Sequence, residues 1–166
     1  GDGPERPPAE RQAREAGRGH GALVQAAPGR VEDLQVQGGP VLLQVDQGDH
    51  ESVLKLKAQI KEKFGKLDCF VNNAVSRPMK NYYAPIEQFE ESMKVNATGM
   101  MDILREMADL IIQNKEGGSI INISSMMGMF GPDLSNYEGT EMGDPPPDYF
   151  FHNAGLLNLT RYLCKI

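Results

Sequence analysis

Three short polar clusters and one tyrosine carry most of the chemistry this sequence could perform. Asp46 follows the apolar run Val41-Leu42-Leu43-Gln44-Val45, Asn72-Asn73-Ala74-Val75 follows Leu67 to Val71, and Ser124-Ser125 follows Ser119 to Ile123. Small polar residues of this kind let a ligand come close and hydrogen-bond to it. Tyr149 opens the last helical stretch and could face Ser125. A serine and a tyrosine hydroxyl together suit carbonyl chemistry, one holding the carbonyl oxygen while the other gives or takes the proton. Taken singly, each residue is better explained as a turn former, since turns favour Asn, Asp and Ser. The set is what points to chemistry.

These clusters need elements to position them. Val41 to Val45, Leu67 to Val71 and Ser119 to Ile123 are short apolar runs bounded by turn residues and read as strands. Asp49 caps a helix in which Val53, Leu56, Ile60 and Phe64 recur at helical spacing, with Gly65 as its stop. Ile86 to Met93 reads as a short helix, Val95 to Gln113 as a longer one and Tyr149 to Lys165 as the last. Residues 126–148 read as a loop. Strand alternating with helix implies a parallel sheet covered on both faces, which binds ligands beyond the carboxyl ends of its strands. All three polar clusters fall at such ends.

The 166 residues fit one domain, and the formal net charge of −6 argues against a general nucleic-acid binder. No apolar run is long enough to cross a bilayer. With no basic-then-apolar leader, the expectation is a cytoplasmic protein. Cys69 and Cys164 form no metal or redox pattern, and Asp46, Asp49, His50 and Glu51 match no standard metal site, so no metal is expected. Residues 1–40 hold 8 Gly, 5 Pro and 5 Arg but no Lys, whereas residues 41–166 hold 9 Lys and 3 Arg. The expectation is a disordered, atypical segment over residues 1–20, carrying at most a weak helix near Ala9 to Ala16, and a partial domain over residues 21–166.

Four segments, in order, resemble the short-chain dehydrogenase/reductase family. Leu67-Asp-Cys-Phe-Val-Asn72-Asn73-Ala74 is similar to its Asn-Asn-Ala-Gly segment, and Val95-Asn96-Ala-Thr-Gly99 to its long-helix asparagine motif. Gly118-Ser-Ile-Ile-Asn-Ile-Ser124-Ser125 resembles its catalytic-serine strand, and Ala154 to Leu163 the helix after its active-site tyrosine. The resemblance implies an incomplete Rossmann-like, doubly wound α/β fold. It also implies an NAD(P)-dependent oxidoreductase that interconverts a small-molecule alcohol and a carbonyl. Ser125 would hold the substrate oxygen, Tyr149 would be the acid/base, and Asn96 would anchor a water in the proton relay. Asp46 would lie near the adenine, and Asn73, Ala74 and Val75 along the cofactor. Tyr137 competes with Tyr149 by its spacing from Ser125, but it is followed by no helix like the family's. Met126, Met127, Met129 and Phe130 would either line the substrate pocket or fill gaps in the core.

Three departures accompany the match. The family's lysine, four residues after its tyrosine, is Asn153 here. A free tyrosine is rarely ionised at neutral pH, and a nearby cation favours the phenolate. Asn153 is neutral and could at most hydrogen-bond a ribose hydroxyl. His152 points about 100° from Asn153 on a helix and reads as a surface histidine. An impaired enzyme is expected. The family's Gly-x-x-x-Gly-x-Gly turn, whose N–H groups hold the pyrophosphate, is not found. Gly17-Arg-Gly19-His-Gly21 has the wrong spacing, although Gly21-Ala-Leu-Val24 resembles the family's second strand. Arg30 beyond it leans slightly toward NADP over NAD. The chain also stops at Ile166, before the family's remaining strands. The Arg-without-Lys start fits a shifted reading frame or a truncated product.

In the order the resemblance implies, the family's first strand lies between its second and fourth, so its loss would part Val41–Val45 from Leu67–Val71 and leave bare edges. The competing expectation is therefore a non-catalytic remnant or an interaction module. As the resemblance implies, it would pair as a homo-oligomer through the Asn96 and Tyr149 helices, with Leu104, Met107, Ile111, Leu156 and Leu163 as the dimer core.

Overall fold

The computed structural model describes residues 21–24, 41–140 and 145–165. The expected disorder of residues 1–20, the weak helix near Ala9, the Gly17-Gly19 segment and Arg30 lie outside the described residues. In chain order the elements are β1 (Gly21–Val24), β2 (Leu43–Asp46), α1 (His50–Phe64), β3 (Cys69–Asn72), α2 (Ile86–Met93), α3 (Met100–Ile112), β4 (Ser119–Asn122) and α4 (Pro147–Leu163). A π-helical turn, Lys94–Gly99, joins α2 to α3, and two 3₁₀ turns, Met126–Gly128 and Leu134–Tyr137, interrupt the expected long loop.

Helix α1 forms as its sequence requires. The Asp49 carboxylate accepts from the Glu51 N–H at its start. Gly65 closes it at φ 73°, a left-handed conformation that a Cβ would strain. Val53, Leu56 and Ile60 point inward and are fully buried, each contributing roughly 1.5–3 kcal/mol. They pack in one core with Leu43, Val45, Phe70, Ile103, Leu104, Met107 and Leu156. On the wet side Lys57 bridges α1 to α3, its Nζ 2.7 Å from Glu106 and 3.0 Å from Asp109.

That core takes up the side chains expected at the dimer interface. Leu104, Met107, Ile111 and Leu156 are buried inside the chain's own core, and Leu163 packs partly against it. The first four are not available to a second subunit. The exposed apolar side chains of these helices are instead Met101, Ile112, Phe151 and Tyr162.

The long helix expected from Val95 begins with the π turn instead. The buried Gln47 Nε2 donates to the Val95 carbonyl at 3.0 Å, so a side chain enters the helical ladder where it widens. Gly99 makes the approach possible, since a Cβ there would stand 2.1 Å from the Gln47 carbonyl oxygen.

Among the described residues the strands form two separate two-stranded sheets. β3 and β4 are parallel, with Cys69 opposite Ser119 and Asn72 opposite Asn122. β1 and β2 are antiparallel, with Gly21 opposite Asp46, which departs from the all-parallel expectation. No described strand lies between β2 and β3 to template a parallel direction, and antiparallel pairing is slightly more stable per residue. The expectation that both faces are covered also fails locally. Phe70 and Asn72 face the core, while Val71, Ile121 and Ile123 on the other face are about half exposed, at 52%, 47% and 49%.

Candidate functional site

The parallel pair β3–β4 brings two strand ends together. The ladder extends one residue beyond the strands, with the Ile123 N–H donating to the Asn72 carbonyl at 2.9 Å. This sets Ile123 beside Asn73, with Ser124 following it. Below them a relay of side chains ties both strands to α4. Asn72 Nδ2 donates to Asn122 Oδ1 (3.1 Å), Asn122 Nδ2 donates to Thr160 Oγ1 (2.9 Å), and the Thr160 hydroxyl donates to the Leu156 carbonyl (2.8 Å). Sequence reasoning had given Asn122 and Thr160 no role, although both lie in motifs it had singled out.

A cavity of about 200 Å³ opens above this relay. Its walls are Asn72 to Val75 with Arg77 at the end of β3, Asn96 and Met100, Ile123 and Ser124 after β4, and Tyr149, His152, Asn153 and Leu156 of α4. Of the expected site residues, Asn73, Ala74, Val75, Asn96, Tyr149 and Asn153 therefore meet in one cavity. Tyr137, in its 3₁₀ turn, does not line it.

Two expected residues lie elsewhere. Ser125 is not in the wall, because its Oγ accepts from the Met127 N–H at 3.2 Å and caps the 3₁₀ turn. The neighbouring Ser124 lines the cavity instead. Ser125 is held away from the wall because its hydroxyl is committed to the start of the 3₁₀ turn that follows β4. Asp46 closes an Asx turn, accepting from the Gly48 N–H at 2.8 Å at the start of α1, and is not part of the wall. Of the loop side chains expected to line a pocket or fill the core, Met126, Met129 and Phe130 are exposed and Met127 is half-buried, and none of the four lines this cavity or joins the core.

The asparagines in the wall are structurally committed. Asn96, 3% exposed, clamps the backbone of Ser76, where Oδ1 accepts from the Ser76 N–H (2.8 Å) and Nδ2 donates to the Ser76 carbonyl (2.7 Å). The same Nδ2 also donates to Ser92 Oγ at 2.9 Å. Asn153 is 4% exposed, donates to the Tyr149 carbonyl at 2.8 Å and accepts from the Ser124 hydroxyl at 3.2 Å. Its amide is thus spent on joining α4 to the segment after β4. Gly128 lets that segment lie against the helix, since a Cβ there would be 2.8 Å from the Asn153 carbonyl carbon.

His152 is not a surface residue. It is 8% exposed and meets the Tyr149 ring edge-on at 5.4 Å between centroids. The 100° offset from Asn153 is real, but His152 is three residues from Tyr149, and i,i+3 positions face each other on a helix. Burial holds its imidazole below the ordinary value of 6.5, with the Arg77 charge adding to the shift and Asp148 opposing it. Among the described residues, its Nε2 and the Asp148 Oδ1 have no hydrogen-bond partner. Arg77 lies over the Tyr149 ring, its guanidinium carbon 4.9 Å from the centroid. Sequence reasoning overlooked Arg77, and its one signal was an arginine in a lysine-rich region just past the strand-end asparagines.

The short chain dehydrogenase family profile matches residues 22–143. The chain belongs to the short-chain dehydrogenase family. It is 32% identical over 128 residues to the post-translational flagellin modification protein A of Campylobacter coli, covering 74% of this chain and 49% of that protein. It is 34% identical over 123 residues to the NADPH carbonyl reductase 1 of Macaca fascicularis, covering 70% and 39%. Among solved structures, NAD+-bound xylitol dehydrogenase superposes with a TM-score of 0.60 at 23% identity, over 72% of this chain and 42% of that one. That likeness shows the Rossmann-type fold, of which this chain holds an incomplete version. The chain spans about half the length, or less, of these relatives.

Proposed function

We propose that this chain carries the chemistry of an NAD(P)-dependent oxidoreductase interconverting a small-molecule alcohol and a carbonyl, with Tyr149 as the acid/base. The observation that carries the proposal is the convergence of Tyr149, Ser124 and the Asn72–Val75 strand end on one cavity. The nicotinamide cofactor would supply the hydride. Asn73, Ala74 and Val75 fit the half of such a cofactor that enters this cavity, as a strand end with small and polar side chains. Asp46 remains a candidate only for a distant adenine, since it lies outside the cavity wall. The residues that would hold a pyrophosphate do not occur as a glycine-rich turn among the described residues. Relatives include an NADPH enzyme by name, which agrees with a slight lean to NADP. A cytoplasmic location follows the same reading, and no described helix is long and apolar enough to cross a membrane.

Within the site, Tyr149 would exchange the proton with the substrate oxygen. Ser124 takes the place expected for Ser125 as the hydroxyl nearest to that oxygen, although it also donates to Asn153. Asn96 acts by holding the Ser76–Arg77 backbone in place. Asn153 offers no charge, so turnover would be slow. The competing reading is a non-catalytic helix-paired module, favoured by the exposed Phe151 and Tyr162 on α4.

Titration with NADPH and then NADH, followed by nicotinamide fluorescence, tests the proposal. The chain has no tryptophan to interfere. Saturable binding with slow reduction of a carbonyl substrate is expected. No binding at millimolar cofactor would leave the non-catalytic reading.

A further inference from the structure

The cavity wall has a one-sided charge. In a chain of net charge −6, none of the lining residues is Asp or Glu, and Arg77 is the lone formal charge. Three arginines occur among the described residues, and two are engaged. Arg105 pairs with Asp102 at 2.9 Å and Arg161 donates to Asn158 at 3.0 Å. The exposed guanidinium of Arg77 has no acidic partner among the described residues and lies over the Tyr149 ring. Beside that ring stands a second group without a partner, the buried Nε2 of His152.

These are independent signs of an anion-binding site. A guanidinium presents a planar fork of donors matched to a carboxylate. An imidazole nitrogen that is buried without a hydrogen bond is costly unless something binds it. We propose that Arg77 and His152 form an anion subsite beside Tyr149, and that its ligand is a carboxylate of the substrate. The substrate class is then a hydroxy acid and its oxo acid, not a neutral alcohol and ketone.

This rests on the oxidoreductase reading for the reacting carbon. The anion itself is called for by the wall. Asp148 is the one carboxylate facing His152, and it is buried at 1% exposure in the first turn of α4, outside the wall. It opposes an anion at His152 but leaves the guanidinium face open. The guanidinium carbon stands 4.9 Å from the ring centroid, so a carboxylate held by Arg77 would lie next to Tyr149.

The test follows the ring-proton NMR signal of His152 in the full chain, identified among three histidines by its loss in His152→Gln. Pyruvate, butanone as the neutral ketone and inorganic phosphate are added in turn, with and without NADPH. Pyruvate is expected to move the signal saturably and to raise the pH at which it titrates, while butanone leaves it in place. Arg77→Gln, at an exposed position, is expected to weaken pyruvate at least tenfold and Arg77→Lys to weaken it less. The proposal is overturned if butanone matches pyruvate, if Arg77→Gln changes nothing, or if pyruvate moves nothing in either arm. Saturation by phosphate alone also overturns it, assigning the subsite to a phosphate group. Pyruvate binding in a chain that shows no NADPH fluorescence change supports the subsite and removes the oxidoreductase reading, so the two failures are distinct.

Discussion

Replacing Asn96 by alanine tests whether this residue clamps the Ser76–Arg77 backbone. The wild-type amide makes three hydrogen bonds of 2.7–2.9 Å, two to the backbone of Ser76 and one to Ser92 Oγ. All three residues are buried, at 3%, 4% and 0% exposure, so water does not readily replace the lost partner. Each buried group deprived of its bond costs about 1–3 kcal/mol. The two Ser76 bonds dominate, and the expected loss is about 2–5 kcal/mol in all. At this chain length that corresponds to a fall in Tm of roughly 5–15 °C. Urea unfolding followed by far-UV circular dichroism is the assay, with an unchanged m-value expected. Asn96→Asp keeps the acceptor for the Ser76 N–H but loses both donations, so it should not restore stability. A loss under about 1 kcal/mol for Asn96→Ala would refute the clamp and return Asn96 to the role of a water anchor.

Three further outcomes are expected. Gly99→Ala places a methyl 2.1 Å from the Gln47 carbonyl oxygen, a backbone atom that cannot rotate away, and should cost about 3 kcal/mol or more in the same unfolding assay. His152 titrates below 6.5 when folded, so the unfolded chain binds its proton first as pH falls. Its contribution is complete above pH 6.5 and declines as pH drops from there toward the folded value. His152→Gln should flatten that part of a stability-versus-pH curve. Asn153→Lys removes the bonds to Ser124 and the Tyr149 carbonyl, so it should lose about 2–4 kcal/mol. If the variant still folds at low temperature it should turn over faster than wild type with NADPH and a carbonyl substrate, and unchanged turnover would defeat the lysine argument.

Elements with a local code were legible from sequence. Asp49 and Gly65 delimit α1 because capping is decided by neighbouring residues. Ile86–Met93 and the three strands from Leu43 onward showed themselves by apolar spacing. The π turn was not legible, because its cause is Gln47, a side chain from 48 residues earlier in the chain. The site was legible as a set of strand ends and one helix start, but its side-chain assignments were not. Ser124 and Ser125 are told apart by the 3₁₀ turn that Ser125 caps, a feature that lies beyond the strand. Arg77 and His152 acquire meaning only from the Tyr149 ring they flank, and a buried histidine looks like a surface one until its helix is packed. The antiparallel β1–β2 pair was beyond reach for the opposite reason, since its direction depends on what stands beside β2 and not on its own residues.

The helix that carries Tyr149 is attached differently from the rest of the molecule. Of its buried side chains, Asp148, His152, Asn153 and Leu156, one is apolar, whereas α3 buries six apolar side chains. Apolar contact holds α3, while α4 has Leu156 in the core, only partly buried Leu159 and Leu163 beside it, and hydrogen bonds through Asn122, Ser124 and Asn153 that water can replace once the helix lifts. Amide hydrogen exchange would therefore divide the chain into two units. The α1–α3 pair sets the slow limit, and α4 opens at lower free energy together with the segment after β4. The cavity then exists only while α4 is seated. Its lifetime is fixed by this local opening rather than by the global stability of the fold, and a ligand that bridges Arg77 to α4 would slow exchange along α4 before it changed the melting temperature.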